Sequence, residues 1–216
     1  GFVEYRGAEA YLIYMEASYM KNNTIDATAD KYWKAIRTRA GVDPDYTKTI
    51  AATDLSKEPD WAKYSGSTMV DETLYNIRRE RRCEFLGEGF RGDDLRRWRA
   101  FDGLLEGGEF HGYQPEGVNF WTNMYKHESY YDGDKCNLVE QAPGVGAANI
   151  SSREVSKYVR PYMTVMENNQ LWDGLKWQKA HYLSPLGVKD LTLTAEDGTV
   201  ANSESYQNPY WPTAAS

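Results

Sequence analysis

Two stretches near the start of the chain carry apolar residues at helical spacing, and this pattern limits the possible fold more than any other feature. The first, YRGAEAYLIYMEASYMKNN, has one apolar stripe formed by Tyr5, Ala8, Leu12, Met15 and Tyr19. The second, DATADKYWKAIRTRAG, repeats the spacing with Ala29, Tyr32, Trp33, Ile36 and Ala40. Residues three and four apart share one face of an α-helix. Because only a short turn separates the stretches, residues 1–41 are predicted to form a helical hairpin, as in tetratricopeptide-like units.

The predicted helix ends have clear signals. The first helix is expected to stop at the pair Asn22–Asn23. Thr24 or Asp26 is the expected N-cap of the second helix, since their side-chain oxygens can accept from free backbone N–H groups. Gly41 is expected to take the left-handed conformation that ends a helix.

Residues 42–67 are rich in proline, glycine and polar side chains and are predicted to be a connecting loop. A third helix is predicted to begin at STMVDE, where Thr68 and Asp71 have the spacing of a capping box. A fourth is predicted to begin near Asp93, so residues 68–105 form a pair of charged helices.

The stretch RRERRCEFLGEGFRGDDLRRW lies in this pair. Eight arginines and five carboxylates fall within residues 78–99 of a chain whose net charge is −7. Arg81 and Glu84 occupy positions where the helical period calls for apolar residues. Such a cluster has three possible interpretations, namely an anion-binding site, a catalytic pair of carboxylates and a structural network.

The interleaved carboxylates argue against a phosphate or nucleic-acid site, and the acidic balance of the whole chain argues against nucleic acid too. Flanking arginines would lower the pKa of Glu80 and Glu84, which disfavours acid catalysis. We therefore predict a structural network that clamps the two helices and the Gly87–Gly89 turn, formed by Arg81, Glu84, Glu88, Arg91 and Asp94.

Beyond these helices the helical period is lost. Residues 106–180 are predicted to be an irregular loop region with one helix near 153–167, and residues 181–216 an extended tail with a hairpin around Asp197–Gly198. The expected fold class is mainly α, with tetratricopeptide-like helical hairpins, long irregular loops, an extended tail and little β-structure.

The composition limits the possible location of the protein and the kinds of site it can hold. No apolar run approaches the roughly 18 to 20 residues of a membrane-spanning helix, and no signal segment opens the chain, which we interpret as a fragment or processed product. Two cysteines are too few for a disulfide framework. Cys83 is expected to be a buried thiol, although pairing with Cys136 is left open. The scattered histidines and the DGDK loop lack metal-site spacing, so no metal site is expected.

Four motifs in order resemble those of the SusD/RagB family. RRERRCEFLGEGFRGDDLRRW is similar to its signature, in which a helix ending E-R-R-x-E-F precedes G-x-R-x-x-D-L-R-R-W. YRGAEAYLIYMEASY and KYWKAIRTRAGV resemble two of its helices. YLSPL and QNPYW resemble its C-terminal Y-L-x-P-I-P and Q-N-P-G-Y/W, with Tyr210 in place of glycine. Family members are far longer, so the resemblance covers their C-terminal portion.

The resemblance implies a surface-exposed, outer-membrane lipoprotein of Bacteroidetes-type bacteria, whose lipid anchor lies outside this chain. It would cap a SusC-like TonB-dependent transporter and capture glycans, or peptides in some members, without catalysis or a cofactor. No binding residue carries over from the motifs themselves.

Candidate ligand contacts come instead from the chemistry of sugars, whose C–H faces stack on aromatic rings. Aromatic residues on predicted loops are the candidates, chiefly Trp61, Tyr64, Trp121 and Tyr125. The competing interpretation is that each fills a small core beneath its loop. Trp33 and Trp98, on helical stripes, are expected in the core, and Tyr206 and Trp211 are expected to pin the tail.

Three functional hypotheses follow. The first is a glycan-binding component of an import complex. The second is a helical scaffold that serves only protein contact with the transporter. The third is a hydrolase, which is disfavoured because no separated carboxylate pair stands out.

Overall fold

The computed structural model describes residues 6–113, 140–141, 151–152, 154, 158 and 174–212. The described residues are mainly α-helical, and their strands are two short ones, which confirms the predicted fold class. The chain divides into two compact units, Gly1–Asp102 and Gly103–Ser216.

The first unit begins with α1 (Gly7–Asn22) and α2 (Ala27–Arg39), which pack against each other. Asn23 takes a left-handed conformation that ends α1, with φ 54°. Asp26, and not Thr24, caps α2 and accepts from Thr28 N and Ala29 N at 2.8 Å. Gly41 has φ 72°, as a left-handed helix stop requires.

Residues 42–67 contain more structure than a plain loop. They hold α3 (Tyr46–Ala52), a 3₁₀ turn (Trp61–Lys63) and β1 (Tyr64–Ser65), which pairs with β2 (Thr68–Met69). Asp45 and Asp60 cap α3 and the 3₁₀ turn through their side chains. Short polar caps therefore create local structure where apolar periodicity is too brief to predict it.

The remaining helices of this unit are α4 (Glu72–Glu84) and α5 (Arg91–Arg97), followed by a 3₁₀ turn (Ala100–Leu104). The capping box expected from Thr68 is wrong, because Thr68 belongs to β2. Asp71 is the N-cap of α4 and accepts from Thr73 N and Leu74 N at 2.9 Å. Gly87 and Gly89, at φ 82° and 87°, form the turn between α4 and α5.

One hydrophobic cluster joins α1, α2 and α4. Leu12, Met15 and Trp33 are fully buried in it, and Trp33 stacks on Tyr46 with ring centroids 4.1 Å apart. Trp98 belongs to a second cluster, with Leu55, Ala62, Tyr75, Leu95 and Ala100. The core positions predicted for Trp33 and Trp98 are confirmed.

Cys83 is exposed, so the prediction of a buried thiol is wrong. The reason lies in the geometry of α4, whose buried face carries Leu74, Ile77 and Arg81. Position 83 is rotated half a turn away from that face. Cys136 lies outside the described residues.

The outer face of α1 is also apolar. Ile13 and Met20 are 53% and 62% exposed, whereas Tyr11 and Tyr14 contact Tyr32 of α2. Tyr11 stacks on Tyr32 of α2 with ring centroids 4.0 Å apart. α1 thus presents apolar side chains both to the core and to its opposite side.

The second unit holds a 3₁₀ turn (Lys179–Tyr182), α6 (Val188–Leu193) and a 3₁₀ turn (Val200–Asn202). The tail is therefore not simply extended, and no strand hairpin forms around Asp197–Gly198 within residues 174–212. Asp197 instead accepts from Thr199 N and Thr199 Oγ1, which starts the last turn. The helix predicted near 153–167 lies outside the described residues.

Candidate functional site

The charged helices contain a buried ion pair between α4 and α5. Arg81 Nε donates to both carboxylate oxygens of Asp94, at 2.9 and 2.8 Å, and both residues are buried. The turn at Gly87–Gly89 allows this approach, because it folds α5 back toward α4. The guanidinium of Arg81 also lies over the rings of Phe85 and Phe90.

Glu16 of α1 is the acceptor that connects α1 to this pair. It is 4% exposed and accepts from Arg97 Nη2 at 2.6 Å and from Trp98 Nε1 at 2.5 Å. Arg97 also donates through Nε to Asp94 at 2.9 Å. Arg97 thus bridges Glu16 and Asp94, so three helices meet at one charged cluster.

The indole of Trp98 lies among three guanidiniums. The Cζ atoms of Arg78, Arg97 and Arg91 are 4.4, 4.7 and 5.8 Å from its ring centroid. Such contacts add cation–π attraction to the ion pairs. Trp98 therefore acts as a packing surface for the arginines as well as a donor to Glu16.

Arg78 is almost completely buried and donates hydrogen bonds to the segment before α4. Its Nη1 donates to the carbonyls of Ala62 and Tyr64 at 3.0 Å, and its Nη2 to Ser65 Oγ at 2.7 Å. Burial lowers the pKa of Arg78 to about 10, while Glu16, 3.5 Å from its Nε, opposes that shift. The guanidinium stays charged at neutral pH.

A second buried carboxylate, Asp60, joins the segment before α4 to both helices. It accepts from Arg82 Nη1 of α4 at 2.7 Å and from Arg91 Nη2 of α5, besides capping the 3₁₀ turn. The hydrogen bond to Asp60 raises the pKa of Arg82, whereas burial lowers the pKa of Arg91.

The five residues predicted as one network are distributed over three groups. Arg81 and Asp94 pair directly with each other. Arg91 contacts Asp60 instead, and Glu84 and Glu88 both pair with Arg6, at 2.9 and 3.0 Å. Every carboxylate named here accepts from at least one guanidinium, so this arrangement suits a scaffold better than acid–base chemistry.

Sequence reasoning missed Glu16 and Asp60, each of which pairs with two arginines. A signal existed for Glu16, because this charge falls among Leu12, Met15 and Tyr19 on the buried face of α1. Asp60 had a weaker signal, since an aspartate before a short turn is an ordinary cap.

Of the predicted ligand-binding aromatics, Trp61 and Tyr64 lie in the first unit. Trp61 is half-buried against the second cluster, edge-on to Phe101 at 5.7 Å between ring centroids. Tyr64 is half-buried in β1, with Lys63 Nζ 5.4 Å from its ring centroid. Trp121 and Tyr125 lie outside the described residues.

The two C-terminal motifs meet in the second unit. Gln207 accepts from Leu186 N at 2.8 Å and donates to Leu186 O at 2.9 Å. Asn208 donates to Ser184 O at 2.6 Å, and Trp211 Nε1 to Leu183 O at 2.7 Å. These four bonds form a clasp between YLSPL and QNPYW. Tyr206, expected to pin the tail, is instead 89% exposed.

We expect Gln207→Ala to loosen this clasp. The loss of two hydrogen bonds to one residue should speed amide hydrogen exchange at Leu186 about thirtyfold, since each bond contributes about 1 kcal/mol. Exchange measured by NMR tests this, with the neighbouring Tyr206→Ala as control. Equal protection of Leu186 in both variants would show that the clasp does not hold the segment.

Neither a metal-binding cluster nor a membrane-spanning helix is found in the described part of the chain. No group of three or more His, Cys, Asp and Glu side chains there converges to hold a metal ion. No helix there is both long and apolar enough to cross a bilayer.

Comparison with protein families gives a match over nearly the whole chain. The model of the SusD family matches residues 1–211, from the segment before α1 to the end of the clasp. Neither the curated proteins nor the solved structures contain a match to this chain.

Proposed function

The chain belongs to the SusD family, and on this premise we propose that it is a non-catalytic, glycan-binding component of an outer-membrane import complex. The family is known for binding glycans together with SusC-like transporters, and its members are outer-membrane lipoproteins. The observation that carries the proposal is the length of the match, which includes nearly the whole chain.

In this role the protein captures an oligosaccharide or polysaccharide at the cell surface and delivers it to a SusC-like TonB-dependent transporter. A lipid anchor outside this chain holds it to the outer membrane. The charged cluster disfavours hydrolysis at this place, because its carboxylates are committed to arginines and Trp98. A hydrolase would instead need one carboxyl group held protonated and another free.

We propose that the aromatic residues Trp61, Tyr64, Trp121 and Tyr125 contribute ligand contacts. The half-buried state of Trp61 and Tyr64 supports this, since it holds each ring in place while part of its surface stays accessible.

We expect Trp61→Ala to weaken binding of the recognised polysaccharide about tenfold, because an aromatic contact contributes roughly 0.5–1.5 kcal/mol beyond its buried area. Calorimetric titration of the full-length protein without its lipid anchor, against plant, host and microbial polysaccharides, measures this effect. Trp61→Phe keeps a ring against Phe101 and should retain most of the affinity.

The exposed Tyr206→Ala serves as the matched control. Unchanged affinity in Trp61→Ala would remove Trp61 from the binding site and leave the other aromatic candidates. Binding of peptides but of no polysaccharide would favour a peptide-binding member of the same family.

A scaffold that only contacts the transporter is the second candidate, favoured by the exposed apolar face of α1. Ile13 and Met20 there suit protein contact better than sugar contact. If no glycan or peptide binds while Ile13→Asp abolishes association with the transporter, this second function replaces the first.

A further inference from the structure

A cavity of about 360 Å³ lies among α2, α3 and α4, apart from the ion-pair cluster around Glu16. Its volume falls in the range of small-molecule sites, roughly 300–1,000 Å³. Ile36, Ala40 and Val42 supply apolar lining, and α4 supplies Arg79 and Cys83. The cavity combines an aliphatic wall with a cation.

Most of the other charged side chains that line the cavity already have hydrogen-bond partners within the protein. Glu80 accepts from Trp33 Nε1 at 2.7 Å and from Arg37 Nη1 at 3.0 Å. Arg37 also donates to Asp43 O at 2.6 Å and to Thr49 Oγ1 at 3.2 Å. These groups have little hydrogen-bonding capacity left for a ligand.

Glu84, the second carboxylate of the lining, is likewise committed. It accepts from Arg39 and lies 2.9 Å from Arg6 Nη2. Neither carboxylate of the lining is therefore an unpaired negative charge that would repel an anion from the cavity.

Arg79 differs from these groups. Its side chain is 45% exposed, and its ion pair is with Glu58, whose Oε1 is 3.7 Å from Nη1. That distance is too long for a hydrogen bond. Arg79 thus keeps N–H donors available, and a guanidinium prefers carboxylate as its acceptor.

The lining also excludes the ligand class proposed for the protein as a whole. None of the described residues that line the cavity is aromatic, so a sugar ring would find no stacking surface. An aliphatic chain, in contrast, matches Ile36, Ala40 and Val42.

We propose that this cavity binds a small aliphatic monocarboxylate, with its carboxylate at Arg79 and its chain against Ile36, Ala40 and Val42. This site is separate from the glycan-binding role and does not depend on it.

Cys83 provides the readout, because it is exposed and lines the same cavity. In a full-chain Cys136→Ser background, the rate of Cys83 alkylation by N-ethylmaleimide is followed by mass spectrometry with increasing hexanoate. We expect saturable slowing by hexanoate. Acetate lacks the chain and hexylamine carries the opposite charge, so both should protect far less.

Two variants test the assigned contacts. Arg79→Gln should weaken protection by hexanoate about tenfold, as the loss of one charge-assisted contact predicts, whereas Arg96→Gln on α5 should not change it. Ala40→Leu places a larger side chain in the apolar part of the cavity and leaves less volume for the hexanoate chain. It should therefore abolish the protection of Cys83 by hexanoate.

The proposal is overturned by equal protection from hexylamine, by no protection from hexanoate, or by unchanged protection in Arg79→Gln. Circular dichroism of each variant ensures that loss of protection is compared between folded proteins. Glycan titration of the same variants separates this site from the proposed function, because either can fail alone.

Discussion

Replacing Asp94 with alanine should lower the free energy of unfolding by about 3–5 kcal/mol. Asp94 is 4% exposed and accepts from Arg81 Nε at 2.8 Å and from Arg97 Nε at 2.9 Å. Its loss leaves the buried Arg81 guanidinium without this carboxylate, and a buried charge that has lost its partner is strongly destabilising. Chemical denaturation monitored by circular dichroism measures the difference.

The adjacent Asp93→Ala is the matched control. The side chain of Asp93 is 82% exposed and lies 3.4 Å from Arg96, so its removal should cost less than about 0.5 kcal/mol. The double variant Arg81→Met/Asp94→Leu should recover much of the stability, because apolar replacement of a buried pair is often neutral. Equal effects of Asp93→Ala and Asp94→Ala would refute a stabilising role for the buried pair.

The second large effect is expected for Glu16→Ala, which should also cost about 3–5 kcal/mol. This change leaves Trp98 Nε1 and Arg97 Nη2 without their acceptor and removes the negative charge next to Arg78. The indole N–H is buried, so it cannot turn to water without local opening. Chemical denaturation monitored by circular dichroism measures the loss of stability.

Glu9→Ala on the same helix is the control, since Glu9 lies 3.8 Å from Arg81 and is more exposed. It should cost less than about 1 kcal/mol. Glu16 and Asp94 share Arg97, so their double variant should lose less than the sum of the two single losses. If the double variant loses as much stability as the two single variants together, Arg97 does not couple Glu16 to Asp94.

The helices were predictable because their signals are local. The apolar period of α1 and α2, the cap at Asp26 and the stop at Gly41 all depend on residues within a few positions. The charged position 81 on a buried stripe also indicated that α4 needs a partner there. Its partner Asp94 was reachable by sequence reasoning, because a single glycine-containing turn separates the two.

The wider site was not predictable, because its contacts join distant segments. Glu16 lies 81 residues from Arg97, and Asp60 lies 31 residues from Arg91. Many carboxylates in the chain have equal chemical affinity for an arginine. Only the packing of α1 against α4 decides that Glu16 is the one brought close.

The incorrect expectations for Thr68, Cys83 and residues 188–193 each have a local cause. Thr68 and Asp71 have capping-box spacing, yet pairing of Ser65 with Thr68 places Thr68 in a strand. Burial of Cys83 was expected because a free thiol within a helical pattern is usually buried, but the stripe through Arg81 leaves position 83 on the exposed side of α4. Residues 188–193 were too short a segment for periodicity to reveal α6.

The pairing of Glu16 with Trp98 also determines when the first unit can complete its folding. The two residues are 82 positions apart, so nearly the entire unit must emerge before the Glu16 carboxylate meets its indole N–H donor. Such long-range contacts raise contact order and slow folding. During that interval the side of α1 that packs against α4 is open to solvent and to other chains, and we expect newly made protein to depend on a holding chaperone until Trp98 arrives.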